Sequence, residues 1–206
     1  MILSELLSAI LQILVFTLIP FLVFVIRNRS TKGFFRYIGL KPSKLRANAW
    51  ATAASLIFVT GAVGLTFFNS DFREAMAGPG SITGKFRSMG FSPAAVILIL
   101  IMAILKTSLA EEILFRGFLA KRLISVLGYQ WGNVLQAAIF GAVHLLLFIS
   151  LGTGLPFLAF IFAFTALGAY VTVYLNEKKA DGSIIPGWIA HGLANVVSYS
   201  VIGFLM

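Results

Sequence analysis

The sequence predicts an all-α membrane protein, a polytopic helix bundle of about six transmembrane helices that forms a single domain over residues 1–206. Hydrophobic residues make up 59% of the chain and charged residues 11%, and the mean hydropathy is +0.98. Several apolar runs reach the roughly 20 residues that cross a bilayer as a helix. These runs are continuous rather than alternating, which disfavours a transmembrane β-barrel. Because the chain contains no cysteine, disulfides and thiolate chemistry are excluded.

Turn residues and interfacial residues delimit the apolar runs. The first run ends at Arg27 and has neither a basic leader nor a small-residue cleavage site, so we expect a retained helix and not a signal peptide. The second begins near Trp50, an interfacial anchor, and residues 71–91 after it are predicted to form a loop. Six spans are therefore predicted, at residues 4–26, 48–69, 93–120, 132–151, 155–175 and 186–206.

The last four spans are separated by short connections. Pro93 opens the third span, because proline is favoured at the first helical position. Residues 128–131 turn into the fourth span, and residues 152–156 form a hairpin into the fifth. Residues 176–182 close the fifth span, and Pro186 opens the sixth.

The basic residues predict the orientation of the protein. Seven of the sixteen lie in the loop 27–46, which is typical of a cytoplasmic loop that faces anionic lipid. Alternation of the spans places Lys121, Arg122, Lys178 and Lys179 on the same side, so we expect both termini outside. The net charge of +9 thus arises largely from basic loops that face anionic lipid, and we expect no nucleic-acid partner. The expected location is the plasma membrane of a prokaryote.

Ionisable residues occur deep inside the third predicted span. Glu111 and Glu112 are adjacent, and Arg116 follows one helical turn later. A charged side chain inside a bilayer costs roughly 2.5 to 3.5 kcal/mol even on the insertion scale, so it persists where it is paired or lines a cavity. We expect Glu112 and Arg116 to form an ion pair that fixes the helix, and Glu111 to act in function.

Two further spans carry polar residues at similar depths. The fourth contains Phe140 and His144, and the sixth contains His191 and Asn195. The two histidines are the only ones in the chain. Residues four apart lie on one helix face, so each pair can point toward a common centre. We therefore expect a pocket open to the cytoplasm where the three helices meet.

Hydrolysis is the chemistry that such a pocket favours. A carboxylate in a low-dielectric site can serve as a general base near neutral pH, and an imidazole can hold the same water. A second imidazole and an amide are donors of the kind that stabilise an oxyanion. The chain contains no HExxH motif, so the sequence does not indicate a zincin-like zinc protease.

These residues carry a family resemblance over residues 93–200. Glu111, Glu112 and Arg116 match EExxxR, Phe140 and His144 match FxxxH, and His191 and Asn195 match HxxxN. The three motifs in this order resemble those of the CAAX-protease and bacteriocin-processing (CPBP, or ABI) intramembrane proteases. The resemblance implies an intramembrane glutamate-dependent endopeptidase that acts on a membrane-associated peptide or protein without a required cofactor or metal.

The resemblance also implies roles for single residues. Glu111 corresponds to the family's water-activating glutamate and His144 to its partner, whereas His191 and Asn195 correspond to the pair that stabilises the oxyanion. Glu112 and Arg116 correspond to supporting residues. Eukaryotic relatives remove the last three residues of prenylated CAAX proteins, and many bacterial relatives are linked to peptide or bacteriocin processing or to self-immunity.

Other interpretations of the same residues stay open. Buried Glu, His and Arg also mark transporters and proton relays, and a non-catalytic scaffold or immunity protein could keep the fold. Two histidines and a glutamate could bind zinc. Phe140 can be a packing residue and Asn195 an interhelical hydrogen-bonding residue. Lys106 is assigned no role. Three glycines are expected to permit close helix approach: Gly117, Gly141 and Gly192.

Overall fold

The computed structural model is an all-α bundle and describes residues 1–149 and 154–206, without the side chain of Asp71. No strand occurs in these residues. The helices are α1 (Ile2–Asn28), α2 (Phe34–Tyr37), α3 (Leu45–Phe68), α4 (Ser70–Ala77), α5 (Ile82–Met89), α6 and α7 within Pro93–Ile149, α8 (Leu155–Lys179) and α9 (Ile185–Leu205). The hairpin predicted at residues 152–156 lies largely outside the described residues.

Five helical runs are long and apolar enough to cross a membrane. The longest, Pro93–Ile149, has non-helical backbone at Gly128 (φ 76°, ψ 167°), which divides it into α6 (residues 93–127) and α7 (residues 129–149). The positive φ suits glycine, which has no Cβ to clash there. The ring centroids of Phe115 and Phe140 lie 5.0 Å apart, so α7 folds back along α6. The third and fourth predicted spans therefore form one helical hairpin.

The loop prediction for residues 71–91 is wrong, because this segment contains α4 and α5. The side chain of Asn69 accepts a hydrogen bond from the backbone of Phe72, and Ser81 accepts one from Gly84. Such caps satisfy backbone N–H groups at helix starts and stabilise short helices. Phe86 of α5 is fully buried in a core with Leu98, Ile99 and Met102, so packing completes the effect.

The loops between helices are joined at one end of the bundle, here called the basic end. The backbone N–H of Ile184 donates to Gly39 O at 2.9 Å, and Lys121 Nζ lies 2.5 Å from Glu177 Oε1. The Lys44 ammonium, 2.6 Å from Asp181, holds the pKa of that carboxyl below its ordinary value. The three loops predicted to be cytoplasmic thus meet on one side of the bundle.

The exterior of the bundle is apolar, most clearly along α1. Leu7, Leu14 and Leu18 of α1 are each more than half exposed. An apolar surface of this extent is not stable in water, whereas it matches the hydrocarbon of a bilayer. The protein is therefore an integral membrane protein.

The helix that carries the two glutamates is wound more widely than an ordinary α-helix. Residues 101–109 and 112–120 of α6 are π-helical, a conformation frequent at functional sites. Side chains of neighbouring helices donate to its carbonyls: Gln12 to Lys106 O at 2.8 Å and Trp188 to Ile104 O at 2.8 Å. Helices α1 and α9 therefore each add an interhelical hydrogen bond to this segment.

Lys106 has a partner at the end opposite the basic end. Its ammonium lies 3.1 Å from Glu5 Oε2, and Lys85 Nζ lies 2.5 Å from the other oxygen of the same carboxylate. Glu5 thus connects α1 to both α5 and α6. This ion-pair group gives the charge of Lys106 a structural role.

Candidate active site

A buried ion pair lies beneath the site. Arg116 Nε is 3.2 Å from Glu112 Oε1, and both side chains are almost completely buried. Arg116 Nε also donates to Thr172 Oγ1 at 3.2 Å, and its guanidinium lies 3.9 Å from the centroid of the Phe140 ring. Ion pairing, a hydrogen bond and a cation–π contact together hold Arg116 between α6, α7 and α8.

His191 of α9 lies between the two glutamates. Its Nε2 is 3.9 Å from Glu111 Oε2, and its Nδ1 is 3.5 Å from Glu112 Oε1. The first distance is too long for a hydrogen bond and the second is at its outer limit. Within the described residues, Glu111 Oε2 and His191 Nδ1 are buried atoms without a hydrogen-bond partner. The carboxylate and the imidazole therefore retain hydrogen-bonding capacity for another molecule.

Glu111 and His144 line one cavity of about 500 Å³. His144 Nδ1 is 3.0 Å from Phe140 O, so the ring is anchored to its own helix through one nitrogen. Residues of α1 form the opposite wall, and the exposed side chains of Leu11 and Val15 lie at its edge. The cavity therefore opens sideways between α1 and α7, toward the lipid.

Asn195 faces α6, one helical turn beyond His191. Its amide nitrogen donates to Thr107 Oγ1 at 3.0 Å and to Ser108 Oγ at 3.3 Å. Both hydroxyls in turn donate to carbonyls of the π-helical segment. In this arrangement the amide joins α9 to α6, and both of its N–H groups are engaged.

Phe140 packs at the centre of these residues. It is 4% exposed, and its ring centroid lies 4.3 Å from that of His144 and 6.3 Å from that of His191. The ring separates the buried Arg116 from the two imidazoles. Six of the seven predicted site residues thus meet where α6, α7 and α9 pack together, whereas Asn195 contacts Thr107 and Ser108.

Two residues near the site were not among those predicted. Asn176, expected in a closing segment, lies in α8 and accepts a hydrogen bond from Gly187 N at 2.8 Å while fully buried. A Cβ on Gly187 would lie 2.3 Å from Glu112 Oε2. The sequence contains no signal for this contact, because neither Asn176 nor Gly187 belongs to a periodic pattern that points toward α6.

The glycines beside the motifs differ from one another. A Cβ on Gly117 would lie 2.7 Å from Ile38 O, and one on Gly141 would lie 2.7 Å from Phe162 O. Close approach of backbones is therefore confirmed at these two positions. A Cβ on Gly192 would have ordinary contacts with α6, 3.9 Å from Ser108 Oγ and 4.0 Å from Ile104 Cα, so the packing there does not require glycine.

Glutamate and histidine side chains near the site are also potential metal ligands. No group of three His, Asp or Glu side chains suited to a metal ion occurs in residues 1–149 and 154–206. In addition, the Glu112 carboxylate next to the site already pairs with Arg116. Zinc binding through three protein ligands therefore has no support from the donor groups of the described residues.

Comparison with known proteins identifies the family. The model of the Type II CAAX prenyl endopeptidase Rce1-like family matches residues 93–197, just over half of the chain. The chain belongs to this family. Neither a curated protein nor a solved structure matches it. The matched segment of this CAAX protease family contains all seven motif residues and runs from the start of α6 into α9. Family and apolar helices together indicate an intramembrane endopeptidase with a membrane-held peptide substrate.

Proposed function

We propose that the protein is a glutamate-dependent intramembrane endopeptidase in which Glu111 and His144 activate a water molecule. The observation that carries this proposal is the shared cavity, which both side chains line. Glu111 is 18% exposed, so its carboxylate is neither solvated fully nor sealed in the core. A partly desolvated carboxylate beside an imidazole is suited to general base catalysis.

The reaction follows from the positions of these groups. Glu111 takes a proton from the water, and the resulting hydroxide adds to the peptide carbonyl to form a tetrahedral oxyanion. Collapse of this intermediate breaks the C–N bond, and the proton passes from Glu111 to the leaving amine. His144 holds the water through the ring nitrogen that is not directed at Phe140 O.

His191 and Asn195 are the proposed donors to the oxyanion. His191 approaches Glu111 to 3.9 Å, so its ring borders the place where the water acts. The Asn195 amide reaches the oxyanion after giving up its hydrogen bond to Thr107 or Ser108. A hydrogen-bond donor to an oxyanion typically contributes roughly 10²- to 10³-fold to turnover.

Glu112, Arg116 and Phe140 support these groups without touching substrate. The buried pair of Glu112 and Arg116 fixes the turn of α6 on which Glu111 stands. Phe140 positions the ring of His144 by direct packing. Their loss is expected to reduce folded yield together with activity.

The proposed substrate is a membrane-associated peptide that enters between α1 and α7. The apolar side chains at this mouth favour a substrate segment that already lies in lipid. The family's name indicates prenylated CAAX proteins as one class, and peptide or bacteriocin processing, including self-immunity, is the other. We propose that the basic end faces the cytoplasm of a prokaryote.

Mass spectrometry of new peptide termini tests the proposal. Membranes that contain the full chain are compared with those that contain Glu111→Gln or His144→Ala, and Glu74→Gln serves as a matched control for loss of one exposed carboxylate. New termini are expected with the parent and the control and not with the two site variants. Equal cleavage by correctly inserted Glu111→Gln protein would remove the mechanism. Prenylated and unprenylated peptides, offered in parallel, identify the substrate class.

A proton relay is the second candidate, because His191 lies within 4 Å of both glutamates and could connect them. Proton flux into proteoliposomes separates the two functions. Flux that disappears in Glu111→Gln, without peptide cleavage by the parent, would favour the relay. The absence of both activities in a folded parent would favour a non-catalytic scaffold or immunity protein.

A further inference from the structure

A second cavity lies between α3 and α8 at the basic end, away from the candidate active site. Its volume is about 610 Å³, and none of the seven motif residues lines it. It begins near Trp50 and Tyr174, both of them exposed aromatic residues. Aromatic residues of this kind concentrate at the level of lipid headgroups. The cavity, here called the α3–α8 groove, therefore extends from the interface into the bilayer.

The rim of the groove is strongly basic. Four cationic side chains line it, and no acidic residue is among its lining residues: Lys44, Arg46, Lys178 and Lys179. Lys44 pairs with the exposed Asp181, and Lys178 lies 4.1 Å from the centroid of the Tyr129 ring. Arg46 forms no ion pair among the described residues. Apart from Lys44, the cations of the rim thus have no acidic partner among the residues that the structure describes.

The interior of the groove is apolar. Small side chains on α3, Ala53 and Ala54, face Val171 and Leu175 on α8. The small size of the alanines leaves the space between the two helices unfilled. The groove therefore matches a phospholipid in layout: its basic rim lies at the level of the phosphate, and its apolar interior lies at the level of an acyl chain.

We propose that the α3–α8 groove is a binding site for an anionic phospholipid. The phosphate lies among the four basic side chains, and one acyl chain lies along Ala53 and Ala54. Basic pockets between membrane helices recognise headgroups in this way, because each cation near the surface adds to the attraction. The lipid joins α3 to α8 where the two helices leave a gap. This site is independent of the proposed peptide cleavage.

Native mass spectrometry of the full chain in detergent tests the proposal. Phosphatidylglycerol and phosphatidylcholine with identical acyl chains are titrated against the parent and against Arg46→Gln/Lys179→Gln. The parent is expected to prefer phosphatidylglycerol, and the double variant to bind it roughly 30-fold more weakly, because two cations are lost. The matched control Arg27→Gln/Lys32→Gln removes two exposed charges from the same basic end outside the groove and should stay within about threefold of the parent.

A second pair of variants tests the acyl-chain part of the site. Ala53→Phe fills the groove and should weaken phosphatidylglycerol binding, whereas Ala49→Phe adds the same ring to α3 outside the groove. Equal binding of the two lipids by the parent, or equal weakening by the groove and control charge variants, would overturn the proposal. Displacement of the lipid by inorganic phosphate, with no effect of Ala53→Phe, would instead indicate a site for a free anion.

Discussion

Arg116 Nε lies 3.2 Å from Glu112 Oε1, one turn along the same helix, and neither side chain reaches the surface. Arg116 also contacts Thr172 on α8 and Phe140 on α7. The pair therefore joins three helices directly below Glu111. The ion pair thus holds the turn of α6 that carries Glu111 in position against α7 and α8.

Replacement of one partner of this pair should destabilise the protein severely. Arg116→Met leaves the Glu112 charge buried and uncompensated, which typically costs about 3–5 kcal/mol of unfolding free energy. Thermal unfolding in detergent measures the effect, and Glu112→Gln/Arg116→Met should recover part of it. Lys44→Met breaks an exposed pair and serves as control. Similar melting temperatures for Arg116→Met and Lys44→Met would contradict the structural role.

Gly187 should not tolerate a methyl group. A Cβ there would lie 2.3 Å from Glu112 Oε2 and 2.7 Å from Asn176 Nδ2, so one of the buried polar groups must move. We expect Gly187→Ala to lower the unfolding free energy by about 1–3 kcal/mol, as overpacking does. Gly192→Ala on the same helix is the matched control, because its Cβ has ordinary contacts. Equal stability of the two variants would show that the carboxylate is not confined as described.

A bulky residue at the mouth of the cavity should impair substrate entry. Leu11 lines the cavity, whereas Leu14 is similarly exposed on α1 and does not line it. Leu11→Trp is expected to raise KM for peptide cleavage with little change in melting temperature, and Leu14→Trp to leave KM unchanged. Steady-state kinetics in proteoliposomes provide the measurement. An unchanged KM in Leu11→Trp would argue that substrate enters by another route.

Asn195 can act on the oxyanion or only hold two helices together. If it stabilises the oxyanion, Asn195→Ala should lower kcat by about 10²- to 10³-fold. Thr107→Val removes one of its hydrogen-bond partners and keeps the amide, so it should reduce stability more than kcat. Parallel kinetics and unfolding curves separate the two roles. A purely structural Asn195 would show a lower melting temperature with normal kcat.

Metal chelation should leave peptide cleavage unchanged. Glu111, His144 and His191 do not form a suitable three-ligand group, and Glu112 beside them is neutralised by Arg116. Activity measured before and after dialysis against EDTA is therefore expected to agree. If EDTA abolished peptide cleavage and added zinc restored it, the water would be activated by a bound metal instead.

The membrane helices were predictable because hydrophobic length is a strong local signal. Pro93 opens α6 as expected, with Ser92 accepting a hydrogen bond from Ala95 N. The short helices α4 and α5 were missed, because their stability depends on caps and on the burial of Phe86 against distant residues. The turn at Gly128 was expected, whereas the extension of α8 to Lys179 was not.

For the site, the motif spacing predicted which side chains share a helix face and one pair of partners within a helix, but not the partners on other helices. The separation of four residues between Glu112 and Arg116 correctly predicted their ion pair. Asn195 forms interhelical hydrogen bonds, as one interpretation expected, but spacing within α9 could not identify Thr107 and Ser108 on α6 as its partners. The roles assigned to Glu111, His144, His191 and Asn195 remain predictions for the experiments above.

The hydrogen bond from Gln12 to Lys106 O has a mechanical consequence. It connects the outer wall of the cavity to the segment whose widened turns precede Glu111. Any swing of α1 that admits a large substrate must either carry this bond along or break it inside the bilayer, where the Gln12 amide has few other partners. Movement of α1 away from the cavity is thereby coupled to the conformation of α6, the helix that carries Glu111.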